Sequence, residues 1–137
     1  RLMGFFFMNY LFMLFFLAMS SQPDTITPKN LEWKNRLLII NHPMDEGFWQ
    51  QVQMESKLED RKLLIFWFDR GELLNSNFDG QLDQNAFLSR IPAGSDWVLI
   101  GLDGGAKSSG KRGPDIDLIF KTIDAMPMRI RERKGIF

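Results

Sequence analysis

The ionisable side chains best placed to do chemistry lie at the ends of the chain's apolar segments. They are one imidazole and several carboxylates, at His42, Asp45, Glu46, Asp69 and Asp96. If the first two apolar segments form parallel strands and the third runs antiparallel to them, these residues meet at one edge of a sheet, which we call the rim. Three or more carboxylates with an imidazole are a ligand set suited to a divalent cation.

The rim residues also have a purely structural interpretation, which we favour. Asp45 is placed to cap the helix that follows it, Asp69 and Asp96 occupy turns at strand ends, and His42 precedes a proline. No known metal-ligand spacing links these residues. We therefore predict no catalytic residue, metal or cofactor, and we keep metal-dependent or auxiliary enzyme chemistry at the rim as the alternative.

The composition argues against several common classes of activity. The sequence contains no cysteine, so thiol–disulfide exchange and thiol peroxidase chemistry are excluded. Residues 105–112, GAKSSGKR, come close to a phosphate-binding loop but place Arg112 where such a loop needs Ser or Thr. With 17 basic and 17 acidic residues and a formal net charge of +0, the chain gives no electrostatic reason to expect nucleic-acid binding.

Two tryptophans and two arginines form the candidate binding surface. Trp33 precedes the first apolar segment and Trp49 lies in the first turn of the next helix, where either indole can anchor a partner. Arg129 and Arg131 belong to a basic stretch that ends in a tail over residues 133–137. The structural alternatives are a core position for Trp49 and a solvated, frayed terminus for the arginines. We expect the partner to be another protein, and the sequence does not indicate an oligomeric state.

The N-terminal segment is typical of an export signal. Residues 2–19 are almost entirely apolar, with a positive flank at Arg1 and small residues before a polar stretch. We therefore expect a signal peptide over residues 1–20, a linker over residues 21–30, and a periplasmic or extracellular location. The alternative is a retained anchor through residues 2–19, whose helical length of about 27 Å is slightly short for a bilayer core.

The rest of the chain alternates between strand-like and helix-like patterns. Apolar runs and a DGG turn predict strands over residues 36–41, 62–68, 97–102 and 106–108. Apolar residues at helical spacing predict helices over residues 46–60, 82–91 and 114–126. The resulting order, β-α-β-α-β-β-α, predicts an α/β domain over residues 31–132, with a central mixed sheet of about four strands and helices on both faces.

Two stretches carry a resemblance to a known family. The run WVLIGLDGGAKSS with LIFKTIDAMPMRIRE resembles the closing hairpin and helix of the domain-of-unknown-function family 4174, and RLLIINHPMDEGFWQQ is similar to its opening strand. Members of that family include small secreted bacterial proteins and a domain of vertebrate sushi-repeat matrix proteins. The resemblance spans about residues 31–132, and it implies a thioredoxin-like fold with no established activity.

The thioredoxin-like resemblance sharpens the expected function. A thioredoxin-like enzyme holds its nucleophilic thiol just after the first strand, where the helix N-terminus lowers the thiol pKa. Asp45, Glu46 and Gly47 stand there in this sequence, and a carboxylate does not attack a disulfide or a peroxide. We therefore expect a non-catalytic secreted or periplasmic binding domain, which contacts a membrane only if residues 2–19 are retained.

Overall fold

A five-stranded mixed sheet, in the order β3-β2-β1-β4-β5, forms the centre of the protein. The computed structural model describes residues 24–53 and 57–135. The strands are β1 (Arg36–Asn41), β2 (Leu63–Asp69), β3 (Glu72–Ser76), β4 (Trp97–Ile100) and β5 (Ala106–Gly110). Strands β1 and β2 are parallel, whereas the other neighbouring pairs are antiparallel.

Helices connect the strands and begin at residues suited to helix starts. They are a 3-10 helix (Pro28–Leu31), α1 (Gly47–Gln53), α2 (Lys57–Asp60), α3 (Gln84–Leu88), α4 (Ile116–Asp124) and α5 (Pro127–Lys134). The Asp83 carboxylate caps α3 by accepting the Ala86 N–H at 3.2 Å. The Asp115 carboxylate caps α4 in the same way, by accepting the Asp117 N–H at 3.0 Å.

Apolar side chains cover both faces of the central strands. Leu38 and Ile40 of β1 point to the face covered by α1, α2 and α4. Leu37 and Ile39 point to the opposite face, which packs against the 3-10 helix and α3. Because successive side chains of a strand alternate between faces, a strand covered on both sides is apolar on both faces along its central residues, here 37–40. This is why β1 reads as a continuous apolar run in the sequence.

The start of β2 pairs with β1 on one side, but the short edge strand β3 does not reach it on the other, where an asparagine side chain takes the place of a strand. The Asn77 Oδ1 accepts the Ile65 N–H at 2.7 Å, and the Asn77 Nδ2 donates to the Leu63 carbonyl at 3.0 Å. The amide thus imitates the donor and acceptor pair that a neighbouring strand would offer. It closes an edge that would otherwise expose unpaired backbone groups.

The mixed α/β architecture predicted from the sequence is confirmed, with β1 at residues 36–41. Two details are wrong. The polar stretch after β2 contains β3, so the sheet has five strands rather than about four. The basic stretch expected to fray forms α5. The helix expected over residues 46–60 is present as α1 and α2, and residues 54–56 between them lie outside the described residues.

Within residues 24–53 and 57–135, no helix has the length and apolarity needed to cross a membrane. The predicted signal peptide or anchor lies outside these residues.

Candidate functional site

The sheet brings three of the rim residues to the same edge, as the sequence predicted. Asn41 at the end of β1 pairs with Phe68 near the end of β2, and the parallel pairing continues when the His42 N–H donates to the Phe68 carbonyl at 3.0 Å. On the other side, the Asn41 N–H donates to the Asp96 carbonyl at 2.8 Å. His42, Asp69 and Asp96 therefore end or precede neighbouring strands at one edge.

The rim side chains converge only partly. The His42 Nδ1 lies 3.7 Å from the Asp96 Oδ2, which also accepts the Arg112 N–H at 2.6 Å. That backbone hydrogen bond commits one carboxylate oxygen to the turn after β5. In the part of the chain described by the structure, no group of three or more His, Asp or Glu side chains is arranged to hold a metal ion.

The segment after β1 is fixed by backbone contacts and by core side chains. The Trp67 Nε1 donates to the His42 carbonyl at 3.0 Å, and the Asn41 Oδ1 accepts the Gly71 N–H at 3.0 Å. Beyond this segment, a cleft of about 360 Å³ is lined by His42, Pro43, Met44, Asp45, Gly113, Pro114 and Asp115. The rim thus contains a cleft, but its volume is small for an organic ligand.

Asp45 does not cap α1 with its side chain, contrary to the sequence-based prediction. The Phe48 N–H instead donates to the Asp45 backbone carbonyl at 2.9 Å, which closes the turn before the helix. The Asp45 side chain is exposed, and among the described residues its carboxylate accepts no hydrogen bond from α1. Glu46 beside it is exposed as well.

We therefore expect Asp45→Ala to change the free energy of unfolding by less than about 0.5 kcal/mol, the range of an exposed side chain without specific contacts. An N-cap aspartate would instead lose about 1 kcal/mol. Urea denaturation measures the difference. The matched control is Asp83→Ala, which removes a capping bond that the structure does contain and should cost about 1 kcal/mol. Equal losses in the two variants would contradict this account of Asp45.

Trp49 belongs to the core and not to the binding surface proposed for it. Its side chain is 8% exposed and stacks on Trp67, with ring centroids 6.4 Å apart. Phe48 packs edge-on against the same Trp67 ring, at 5.8 Å between centroids. Three aromatic side chains in contact stabilise the attachment of α1 to the sheet. With 8% of its side chain exposed, Trp49 offers little surface to a partner protein.

Arg129 is likewise buried, so the prediction of a binding residue there is wrong. It is 4% exposed, and its guanidinium donates to the Asp60 Oδ2 at 2.6 Å, the Asp60 carbonyl at 2.7 Å and the Asp124 Oδ1 at 3.3 Å. The Asp124 carboxylate also accepts two hydrogen bonds from Arg61, at 3.0 and 2.7 Å. Arg131, in contrast, is exposed and remains accessible to a partner.

A second buried arginine, Arg36, was not identified from the sequence. It is the first residue of β1, it is 0% exposed, and its Nη1 and Nη2 each donate to a carboxylate oxygen of Glu132 at 3.3 Å. The Nη1 also donates to the Arg61 carbonyl at 2.8 Å. We call Arg36, Arg61 and Arg129, with Asp60, Asp124 and Glu132, the ionic cluster. It fastens α5 to the sheet and to the loop before β2.

The ionic cluster changes the protonation properties of its members. Burial alone would raise the pKa of Asp124, but hydrogen bonds and attraction from Arg61, and then from Arg129, outweigh it and hold this pKa below its ordinary value. For Arg129, burial would lower the pKa, and the bonds to Asp60 and Asp124 raise it instead. Both groups are therefore charged at neutral pH.

Trp33 is exposed at the end of the sheet opposite the rim. Its side chain is 66% exposed, and its backbone has φ of 66°, in the left-handed region that bulky residues rarely adopt. The Trp33 N–H donates to the Leu102 carbonyl at 2.7 Å, which fixes the turn before β1 against the end of β4. This exposure leaves the indole accessible to a partner.

The turn between β4 and β5 packs against the turn that contains Trp33. Gly104 has φ of 82°, and a Cβ placed on it would lie 2.7 Å from the Glu32 Oε1. Arg90 donates to the Gly104 carbonyl, and the Lys107 Nζ donates to the Asp103 Oδ2 at 2.8 Å. This is the DGG turn on which the family resemblance partly rested. Its first glycine allows Glu32 and the Trp33 backbone to approach closely.

Comparison with known proteins places the chain in a family. A family model described as Domain of unknown function (DUF4174) matches residues 27–132, an interval that holds the rim, the Trp33 turn and α5 as far as Glu132. A comparison with curated proteins finds no significant match, and neither does a comparison with solved structures. The family predicted from the hairpin and helix motifs is confirmed: the chain belongs to the family of domains of unknown function DUF4174.

Proposed function

We propose that the chain is a non-catalytic, thioredoxin-like domain, exported to the periplasm or beyond the cell, that binds another protein through Trp33. The observation that carries this proposal is a largely exposed tryptophan in a backbone conformation that costs stability. The DUF4174 match itself assigns no activity.

The order of the elements supports a thioredoxin-like arrangement. When α1 and α2 are taken as one helical unit and the edge strand β3 is set aside, the order through α4 is β-α-β-α-β-β-α. A parallel β1–β2 pair lies beside an antiparallel β4–β5 hairpin, with helices over both faces of the sheet. The position after β1, which holds the thiol in a thioredoxin-like enzyme, has no cysteine in this sequence.

The strain at Trp33 supports a functional role for its side chain. A left-handed backbone costs an L-residue on the order of 1 kcal/mol, and glycine or asparagine would adopt it more readily. An indole that is 66% exposed buries little apolar surface, so its packing offsets little of that cost. The turn itself is held by the bond from the Trp33 N–H to the Leu102 carbonyl, which any residue other than proline could make, so the fold gives no reason for a strained tryptophan at this position and a binding role does. Large aromatic side chains are also the commonest anchors of protein interfaces.

We expect Trp33→Ala to weaken binding of the partner by about tenfold or more while changing the free energy of unfolding by less than about 1 kcal/mol. Trp33→Gly should also lose binding, and its stability should stay level or rise by up to about 1 kcal/mol because the backbone strain is relieved. Affinity capture from the native compartment, paired with urea denaturation of the same variants, measures both quantities.

Arg70→Gly is the matched control for strain. Arg70 has φ of 51° in the turn between β2 and β3, and its side chain is exposed at the rim end of the sheet. The substitution relieves a similar backbone conformation far from Trp33, so binding should stay at the parent level. Full partner capture by both Trp33 variants would overturn the proposal.

A second candidate function, metal-dependent or auxiliary enzyme chemistry at the rim, is favoured by the 3.7 Å separation of the His42 Nδ1 and the Asp96 Oδ2. Melting temperatures measured after chelation, and then with Ca²⁺, Zn²⁺ or Mn²⁺, distinguish the two functions. A large, saturable rise that disappears in Asp96→Asn would favour the rim. The binding function alone gives no such rise.

A further inference from the structure

The Trp33 end of the protein presents exposed cations that outnumber the unpaired acidic side chains at this end. Lys29 and Lys34 flank Trp33 and are exposed. Among residues 24–53 and 57–135, neither lysine forms an ion pair, and the same holds for three further exposed cations on α5: Arg131, Arg133 and Lys134. Helix α5 is held at this end because Glu132 binds Arg36, the first residue of β1.

Most acidic side chains at this end already form ion pairs within the protein. Glu132, Asp60 and Asp124 belong to the ionic cluster, and Asp103 is paired with Lys107 at 2.8 Å. In the described part of the chain, Glu32 and Glu59 form no ion pair. They are fewer than the exposed cations, so this end carries a local positive excess although the whole chain has a formal net charge of +0.

The apolar groups at this end are few and separate. The exposed large apolar side chains among the described residues lie on four different elements, at Trp33, Leu74, Leu118 and Ile130. A membrane-binding face needs a continuous apolar surface, which this distribution does not supply. Ile130 lies instead in a hollow of about 280 Å³ with Arg133 and Lys134. An apolar floor beside two cations suits an apolar side chain that is followed by carboxylates.

We propose that the occupant of this end is an extended, glutamate- or aspartate-rich segment of a partner protein. Trp33 contacts an apolar side chain of that segment, and Lys34, Arg133 and Lys134 face its carboxylates. Charge complementarity of this kind gives specificity and raises the association rate. The inference rests on the proposed binding function and adds the chemistry of the partner.

Fluorescence anisotropy with a fluorescein-labelled, glutamate-rich peptide that carries a central leucine tests the inference. We expect the peptide to bind about tenfold more tightly than its glutamine counterpart, with an affinity that falls as salt is added. Trp33→Ala and Lys34→Glu should each weaken binding several-fold. Lys111→Glu, the same charge reversal at the rim end of β5, should leave binding unchanged.

Three results would overturn the inference. They are equal affinity for the glutamate and glutamine peptides, equal effects of Lys34→Glu and Lys111→Glu, and Trp33-dependent binding to phosphatidylserine vesicles or to an oligonucleotide in place of the peptide. If capture of a protein partner still depends on Trp33 while the glutamate peptide does not bind, the partner's chemistry is wrong and the binding function stands. If capture is independent of Trp33 as well, the binding function fails separately.

Discussion

Replacing Arg36 by methionine is expected to lower the free energy of unfolding by about 3–5 kcal/mol, the cost of breaking a buried ion pair from one side. The Glu132 side chain is 7% exposed and would lose both hydrogen bonds from the guanidinium. The Arg61 carbonyl would lose its donor as well. Methionine fills most of the space, so the loss reflects a buried carboxylate that keeps only its longer contacts, to Arg129 at 3.5 Å and Lys62 at 3.9 Å, rather than a cavity.

The double variant Arg36→Met with Glu132→Leu separates the ion pair from the packing. Because both charges are then absent, most of the lost stability should return. Arg129 loses its 3.5 Å contact with Glu132 in this variant but keeps its hydrogen bonds to Asp60 and Asp124. Urea denaturation with an unchanged m-value makes the comparison valid.

Lys107→Met serves as the exposed control for the Arg36 variant. It removes a pair with Asp103 whose side chains are 35% and 38% exposed, and it should cost less than about 1 kcal/mol. A loss from Arg36→Met no larger than that of Lys107→Met would contradict the buried ionic cluster. So would a double variant that is less stable than either single variant.

The ionic cluster explains why the last helix belongs to the domain. A basic stretch after Pro127 reads as a solvated terminus because its exposed residues outnumber its buried ones. Its attachment depends on Arg129 reaching Asp60 and on Glu132 reaching Arg36, pairs that are 69 and 96 residues apart in the sequence. Such distant pairs leave no local pattern, so sequence reasoning could not find them.

Strand β1 was predicted from the sequence and strand β3 was not, for a related reason. Strand β1 is covered on both faces, so its apolar run is unbroken and was predicted at its observed residues. Strand β3 is an edge strand that is only partly buried, and its sequence ELLNS carries neither an apolar run nor clean alternation. Edge strands are stabilised by pairing with a neighbour more than by their own burial, which a single segment does not reveal.

At the candidate sites, too, the sheet topology could be predicted from the sequence, but the contacts of the side chains could not. The sheet edge that brings His42, Asp69 and Asp96 together follows from strand directions, and it was predicted. The turn conformation decides what the side chains do, and there the expected cap at Asp45 is replaced by a backbone hydrogen bond. Trp33 was predicted to belong to the binding surface, and its side chain is exposed. Its left-handed backbone was not visible in the sequence, because neither glycine nor asparagine marks the position.

Asp124→Asn is expected to lower the free energy of unfolding at neutral pH by about 2 kcal/mol, because the carboxylate accepts charged hydrogen bonds from both Arg61 and Arg129. The amide keeps the shape but loses the charge that both guanidinium groups require. The effect should be larger than for Asp103→Asn, whose single partner Lys107 lies at the surface. Chemical denaturation at pH 7 gives both values.

The pH dependence of stability is the sharper test of Asp124. Its pKa is held below its ordinary value in the folded protein, despite the opposing effect of burial, so the folded state favours the charged form. The resulting stabilisation is complete above the unfolded-state pKa of about 4, and it is lost as the pH falls through the lowered folded-state pKa. The parent protein should therefore lose stability steadily below about pH 5, and Asp124→Asn should lose less over the same interval. Parallel curves for the two proteins would show that the two arginines do not hold the Asp124 charge, and the attachment of α5 would then depend on the Arg129–Asp60 and Arg36–Glu132 contacts.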